Sequence, residues 1–163
     1  MKVAILMGSD SDFARLEACV STLKKLGIPY EARVLSAHRT PKKLVDYVEA
    51  APERGIGAFL CAAGGAAHLA GVVAAHTDLP VIGIPMDNPP LGGLDALLST
   101  VQMPGGVPVV SVAVGGGGPM NAALFAARVL ALSDEKLAQR LAAFREEQTA
   151  SVTRKDESLQ QRL

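Results

Sequence analysis

Aromatic residues are scarce in this chain. Phe, Tyr and Trp make up 4% of its 163 residues, and Trp is absent altogether. Little is therefore available to stack on a flavin ring. Net charge is missing too. Lys and Arg number 16, as do Asp and Glu, so no global field draws the chain to nucleic acid or to a membrane. No apolar run reaches the length of a transmembrane helix. The single Lys2 ahead of the first apolar residues marks the start of a strand, not a signal peptide. Only two cysteines occur, Cys19 on an expected helix and Cys61 on an expected strand, with no CxxC and no disulfide framework. Reduced thiols in a cytosolic protein are the plain reading.

The missing motifs exclude further classes. There is no GxGxxG after the first strand, no GxxxxGK phosphate loop, no GxSxG elbow and no Met-Lys biotin-attachment signature. Three histidines, His38, His68 and His76, share no i, i+4 spacing and have no Cys or acid cluster nearby, which makes a poor metal site. The expectation is a protein that works without ATP, metal, biotin or any other cofactor.

What the chain does contain is a regular alternation. Val3–Met7 is a continuous apolar run, as suits a strand buried on both faces. A helix follows with Phe13, Leu16, Val20, Leu23 and Leu26 inward and Gly27 as its stop. Further strands are expected over residues 30–35, 57–62, 81–84 and 109–114, each followed by a helical pattern. Five such units in series predict a three-layer αβα sandwich around a five-stranded parallel sheet. Residues 1–163 read as one domain, with a core to about 132. Leu137, Leu141 and Phe144 then mark an amphipathic helix, and residues 151–163 a frayed or partner-docked tail.

In an open parallel sheet the chemistry sits at the carboxyl edge, so the loops after the strands carry the candidates. After the second strand comes Ser36-Ala37-His38-Arg39-Thr40-Pro41, with Thr40 placed to cap the next helix and Pro41 suited to its first position. An imidazole beside a fixed cation can handle protons near an anionic ligand; a merely polar surface turn is the competing account. Gly8-Ser9-Asp10-Ser11-Asp12 opens the first helix, where hydroxyls and free amides favour an anion. Simple capping by Ser11 or Asp10 would explain it equally. Gly64-Gly65-Ala66-Ala67-His68 lets backbone approach a flat ligand, or lets helices pack closely. The run Gly115–Gly118 could cradle an anion or merely flex. No acid ends the second strand to grip an adenosine ribose, and no Asp ends the third, where Cys61-Ala62-Ala63 stands. A dinucleotide site and a phospho-acceptor receiver are both excluded.

These segments carry a resemblance. Gly-Ser-Asp-Ser-Asp at 8–12, Ser-Ala-His-Arg-Thr-Pro at 36–41, Ala-Gly-Gly-Ala-Ala-His-Leu at 63–69, residues 94–108 and Asn-Ala-Ala-Leu at 121–124 match one family in order and spacing. The chain resembles the N5-carboxyaminoimidazole ribonucleotide (N5-CAIR) mutases of bacterial purine biosynthesis, also known as the catalytic subunit of phosphoribosylaminoimidazole carboxylase. The resemblance implies a flavodoxin-like fold, a cytoplasmic homo-octamer with its site at a subunit junction, and functional pairing with N5-CAIR synthetase. It implies that Ser9, Asp12 and Arg39 hold the substrate's ribose phosphate. Ser36, Gly64 and His68 would line the pocket, and His38 would be the general acid/base for moving a carboxylate from the exocyclic nitrogen to ring carbon 4.

The chain departs from the usual pattern at Ala62-Ala63, at Ala70, in the Pro-rich loop 86–93 and in the glycine run. Two other functions stand beside the mutase: direct carboxylation of aminoimidazole ribonucleotide by CO2, and a non-catalytic nucleotide- or flavin-binding module. The segments Val101-Gln102-Met103-Pro104 and Asn121–Leu124 favour the mutase branch. The expectation for assembly is that the helix from Leu69 to Ala75 and the glycine-rich loops lie between subunits.

Overall fold

The computed structural model describes residues 1–163. Strand β1 (Lys2–Met7) and β3 (Ile56–Ala63) form the centre of a five-stranded sheet of order β2-β1-β3-β4-β5, every pairing parallel. The outer strands are β2 (Tyr30–Val34), β4 (Val81–Pro85) and β5 (Val110–Ser111). This is the flavodoxin-like order of the doubly wound folds. The helices are α1 (Glu17–Lys25), α2 (Pro41–Glu49), α3 (Leu69–Ala74), α4 (Leu94–Val101), α5 (Gly118–Ala131) and α6 (Glu135–Gln160).

The alternation of side chains along β1 divides the core in two. Val3, Ile5 and Met7 face one way, with Leu60 and Ile82, into the layer covered by α1 and α5. Ala4 and Leu6 face the other way, with Phe59 and Cys61, toward Leu44 and Val48 of α2 and Leu69 and Val73 of α3. Every residue from Val3 to Met7 is buried, so both faces of the central strands are covered, as their unbroken apolar sequence requires. On α5, Ala122, Ala123, Ala126 and Ala127 are all fully buried. Their small side chains let that helix lie close against the sheet and α1. Gly83 serves the opposite layer: a Cβ there would sit 2.2 Å from Thr100 Cγ2, so its absence lets α4 come down onto β4.

Four expectations need correction. The segment Asp10–Leu16 is a 3-10 helix, not the first turns of an α-helix. Its tighter turn buries Asp12 and Leu16 and leaves Phe13, expected inside, 47% exposed. Strand β5 spans two residues where six were expected. It is a sheet edge pairing only through Ile82–Val110 and Gly83–Ser111, and Val110 stays exposed. Thr40 does occupy the position before α2, but its hydroxyl does not cap the helix. It accepts from the Ser36 amide (2.9 Å) and donates to the Ser36 carbonyl (3.1 Å), closing the turn that carries His38 and Arg39.

The fourth concerns the C-terminal segment. Residues 151–160 continue α6 without a break, since no Gly or Pro occurs from 135 to 160 and strong helix formers dominate. Asp134 caps the start by accepting from the Leu137 amide at 3.0 Å. Leu137 is buried, and Arg140 Nε donates to the Leu26 carbonyl at the end of α1 (2.7 Å). Lys25 pairs with Glu147. Beyond that point the helix stands clear, with Val152 and Leu159 exposed.

Of the expected intersubunit helix, Leu69, Ala70 and Val73 are already buried within the chain. One stretch of uncovered apolar surface runs from Leu91, just before α4, through Leu94, Leu98 and Val101 on it, each 47–59% exposed.

The alanine face of α5 yields a stability test. Ala126→Leu adds three carbons where there is no space, and it should lower the unfolding free energy by about 1–3 kcal/mol. Urea titration reads this as a lower midpoint at unchanged slope. An unchanged midpoint would mean that α5 is packed more loosely than its sequence dictates.

Candidate active site

The carboxyl ends of β1 and β3 are level, with Met7 opposite Ala62. The chain beyond them is tied down by backbone bonds from the Leu35 amide to the Met7 carbonyl and from the Met86 amide to the Ala63 carbonyl, both 2.9 Å. Loops after β1, β2, β3 and β4 therefore surround one cleft of about 460 Å³, a usual size for a small-molecule site. Ser9, Asp12, Ser36, His38, Arg39, Gly64 and His68 all line it. Thirty residues separate His38 from His68 in sequence, yet the sheet brings them into contact.

That contact is the centre of the site. His38 Nε2 lies 2.8 Å from His68 Nδ1, with the rings nearly perpendicular at 85° and their centroids 4.9 Å apart. One ring nitrogen must donate and the other accept, so the two imidazoles share a single bridging proton. His68 occupies the position before α3 but makes no capping bond; its ring turns to His38 instead. His76, on the same stretch of chain, is elsewhere, 3.7 Å from Glu49 Oε1.

Arg39 is anchored to the site by Nη2, which donates to the Gly8 carbonyl at 2.7 Å. Its backbone amide donates to Ser36 Oγ at 3.2 Å. No carboxylate pairs with it, so a positive charge stands uncompensated over the end of β1. Close by, Ser9 is the residue that caps the 3-10 helix, its Oγ accepting from the Ser11 amide at 3.3 Å, where Ser11 or Asp10 had been the expected cap. Ser9 Oγ also lies 2.9 Å from Ser11 Oγ. A fixed cation, two hydroxyls and the amides of a helical turn together suit a phosphate.

Asp12 has the opposite character. Burial raises its carboxyl above the ordinary value, and the Asp10 charge adds to that, while Arg15 and a backbone hydrogen bond at Ser9 oppose it. A buried carboxylate can accept from ligand hydroxyls.

Sequence reasoning missed Asn88. It reaches the cleft from the loop after β4, and its Oδ1 accepts from Arg15 Nη1 at 2.6 Å. Gly64 makes room for it, since a Cβ at that position would lie 2.1 Å from Asn88 Nδ2. The signal available was an Asn just past the fourth strand, in the loop that departs from the family pattern. The glycine run 115–118 does not line the cleft. Gly115 faces Asp87, whose carboxylate would be 2.8 Å from a Cβ there, which disfavours an anion cradle. No Phe, Tyr or Trp lines the cleft. No group of three His, Cys, Asp or Glu side chains converges to hold a metal.

The raised pKa of Asp12 sets a pH dependence. The native state holds this proton more tightly than the unfolded chain does, so Asp12's contribution to stability declines as pH rises from its unfolded value through the native one. Asp12→Asn should therefore raise the urea midpoint at neutral pH, with the gain shrinking below the unfolded carboxyl range. A midpoint that falls at neutral pH would show that the ionised carboxylate is held by bonds stronger than its burial penalty.

A family model described as AIR carboxylase matches residues 2–151. The N5-carboxyaminoimidazole ribonucleotide mutase of Brucella melitensis is 52% identical over 150 residues, covering 92% of this chain and 93% of that one. The protein of the same name from Bacillus subtilis is 48% identical over 157 residues, covering 96% and 97%. Among solved structures, Treponema denticola PurE superposes with a TM-score of 0.85 at 31% identity, covering 96% of this chain and 97% of that one. The chain belongs to the AIR carboxylase family.

Proposed function

We propose that this enzyme moves a carboxylate from the exocyclic N5 to ring carbon 4 of 5-aminoimidazole ribonucleotide, converting N5-CAIR to CAIR in purine biosynthesis. The single observation that carries the mechanism is the His38–His68 contact beside an unpaired Arg39.

In this reading Arg39 with Ser9 and Ser36 binds the phosphate, and Asp12 accepts from ribose hydroxyls. Gly64 leaves room for the imidazole ring. His38 is the general acid/base and His68 its partner. The first step breaks the bond from nitrogen to the carboxylate carbon. The nitrogen takes a proton from His38, giving the free amine and CO2. The electron-rich ring carbon 4 then attacks CO2, and the new bond leaves a proton on that carbon. His38 removes it, so one proton leaves the pair and one returns. His38 gives the first proton from its other ring nitrogen as an imidazolium and is left neutral, while its Nε2–H goes on donating to His68 Nδ1, 2.8 Å away. Both outer states of the cycle are the same, so no redox partner or energy input enters the balance. The small lining residues close around the CO2 between the two steps.

Residues 1–163 are read as one domain, with Leu137 of α6 belonging to the same core layer as β1. A cytoplasmic setting fits the two free cysteines, which lie buried in different layers and cannot meet. No helix is long and apolar enough to cross a membrane. N5-CAIR synthetase would supply the substrate.

The function is tested with N5-CAIR labelled in the carbamate carbon, in buffer rich in unlabelled bicarbonate and without ATP, metal or biotin. Label retained in CAIR is expected. Product formed mainly from solution CO2 would instead make the enzyme a direct carboxylase, the other activity of this family.

The apolar stripe on α4 supports a homo-oligomer, with the octamer as the expected form. Four large side chains half in water are more than a monomer's surface ordinarily leaves in one row. Light scattering at micromolar concentration should give a multiple of 16.9 kDa, and Leu98→Glu should reduce it. A parent protein that scatters as a monomer would end this assignment.

A further inference from the structure

We infer that Asn88 is a substrate-contacting residue whose side-chain NH2 grips the migrating carboxylate, and that Arg15 is the positioning residue that aims it. The inference rests on reading the cleft as a carboxylate-transfer site.

The orientation of the Asn88 amide is dictated by chemistry. A guanidinium only donates hydrogen bonds, so the atom 2.6 Å from Arg15 Nη1 must be the carbonyl oxygen. The NH2 end is thereby turned away from Arg15 and over Gly64, where no Cβ blocks it. The Arg15 bond engages the oxygen alone and leaves both NH2 hydrogens to point elsewhere. Half-exposed at the wall of the cleft, this NH2 has no protein partner to displace and is free to donate to a ligand.

Two acceptors are available on the substrate, the phosphate and the carboxylate. The phosphate has a cationic seat at Arg39, whose guanidinium lies against Gly8 at the end of β1. Asn88 stands over the loop after β3, on the side of the cleft that also carries His68. A neutral donor there is what carboxylate migration needs. The carboxylate must lose its charge to become CO2, so a cation against it would stabilise the ground state more than the transition state. An amide holds its direction without that penalty. Arg15 could have supplied such a cation, but its charge is directed to Asp87, with Nη1 3.3 Å from Asp87 Oδ1. Arg15 thus orients the donor while its own charge is kept from the substrate.

The experiment compares binding of CAIR with binding of aminoimidazole ribonucleotide, which lacks the carboxylate, by calorimetry on the full chain. Asn88→Ala should weaken CAIR about ten- to hundredfold, the range for a hydrogen bond to a charged group, and leave the uncarboxylated nucleotide within about twofold. Asn88→Asp, nearly identical in shape, should weaken CAIR at least as much, because it sets an oxygen where the donor was. Arg15→Ala should lose part of the same selectivity, and the double variant Arg15→Ala with Asn88→Ala should be no worse than Asn88→Ala alone. Equal losses for both nucleotides in Asn88→Ala and Asn88→Asp, or no loss in either, overturn the inference and leave the functional reading standing. Additive effects of the two alanine variants overturn the role of Arg15. A parent chain that binds neither nucleotide sinks the functional reading, and this inference with it.

Discussion

The parallel pairing of β1 with β3 is the constraint on which the rest of this structure depends. Both strands are apolar on both faces, so each must be covered by helices above and below. The chain turns from β1 to β2 on one side and comes back to β3 on the other. Loops leaving β1 and β3 are thus pulled toward opposite faces, and the gap between them is the cleft. Because Met7 and Ala62 end level, Ser9, His38, Gly64 and His68 arrive at one height. A register change of two residues in this one pair would separate the histidines, and no local interaction could bring them back.

That rigid support carries groups that fold poorly by themselves. Asp12 is buried with its carboxyl raised, Arg39 has no counter-ion, and Asn88 keeps an idle donor. Only the buried Asp12 carries a burial penalty, and all three border the same cleft. Elsewhere the chain shows apolar layers and exposed charges such as Lys42 paired with Asp46. Local rules broken together in one place, against a well-packed background, are how a binding site differs from a packing fault.

Most of the architecture was legible because it follows from apolar runs. Val3–Met7 and Ile56–Ala63 need helices over both faces, which a parallel α/β fold supplies, and Gly27 stops its helix at a φ of +64°. Elements at the edges were less legible, since their extent is set by partners and not by their own residues. Val109–Val114 has the composition of a strand, yet only Val110 and Ser111 find a ladder. Phe13 looks like a core residue, but the 3-10 turn that seats Asp12 turns it outward. In the site, the loops could be named from the strand ends alone. The pairings across them could not: His38 with His68, Arg39 with Gly8 and Arg15 with Asn88 each join segments at least 30 residues apart. No spacing rule connects such residues before the sheet order is known.

The composition with which the chain began also suits the proposed chemistry. CO2 is small, neutral and apolar, and nothing holds it between the two bond changes except the walls around it. Aromatic walls would leave rigid gaps; Ala63, Ala66 and Gly64 let loop backbone close on a flat imidazole and on the gas beside it. A metal or a second free cation facing the carboxylate would hold it as an anion and slow its release. On the proposed reading the positive charge is confined to Arg39, which would face the phosphate, and that of Arg15 is turned to Asp87. What remains at the reacting end is one shared proton between two histidines and one neutral amide. Such a site binds its substrate strongly at the group that does not react and lightly at the group that does, which is the distribution that lowers a barrier.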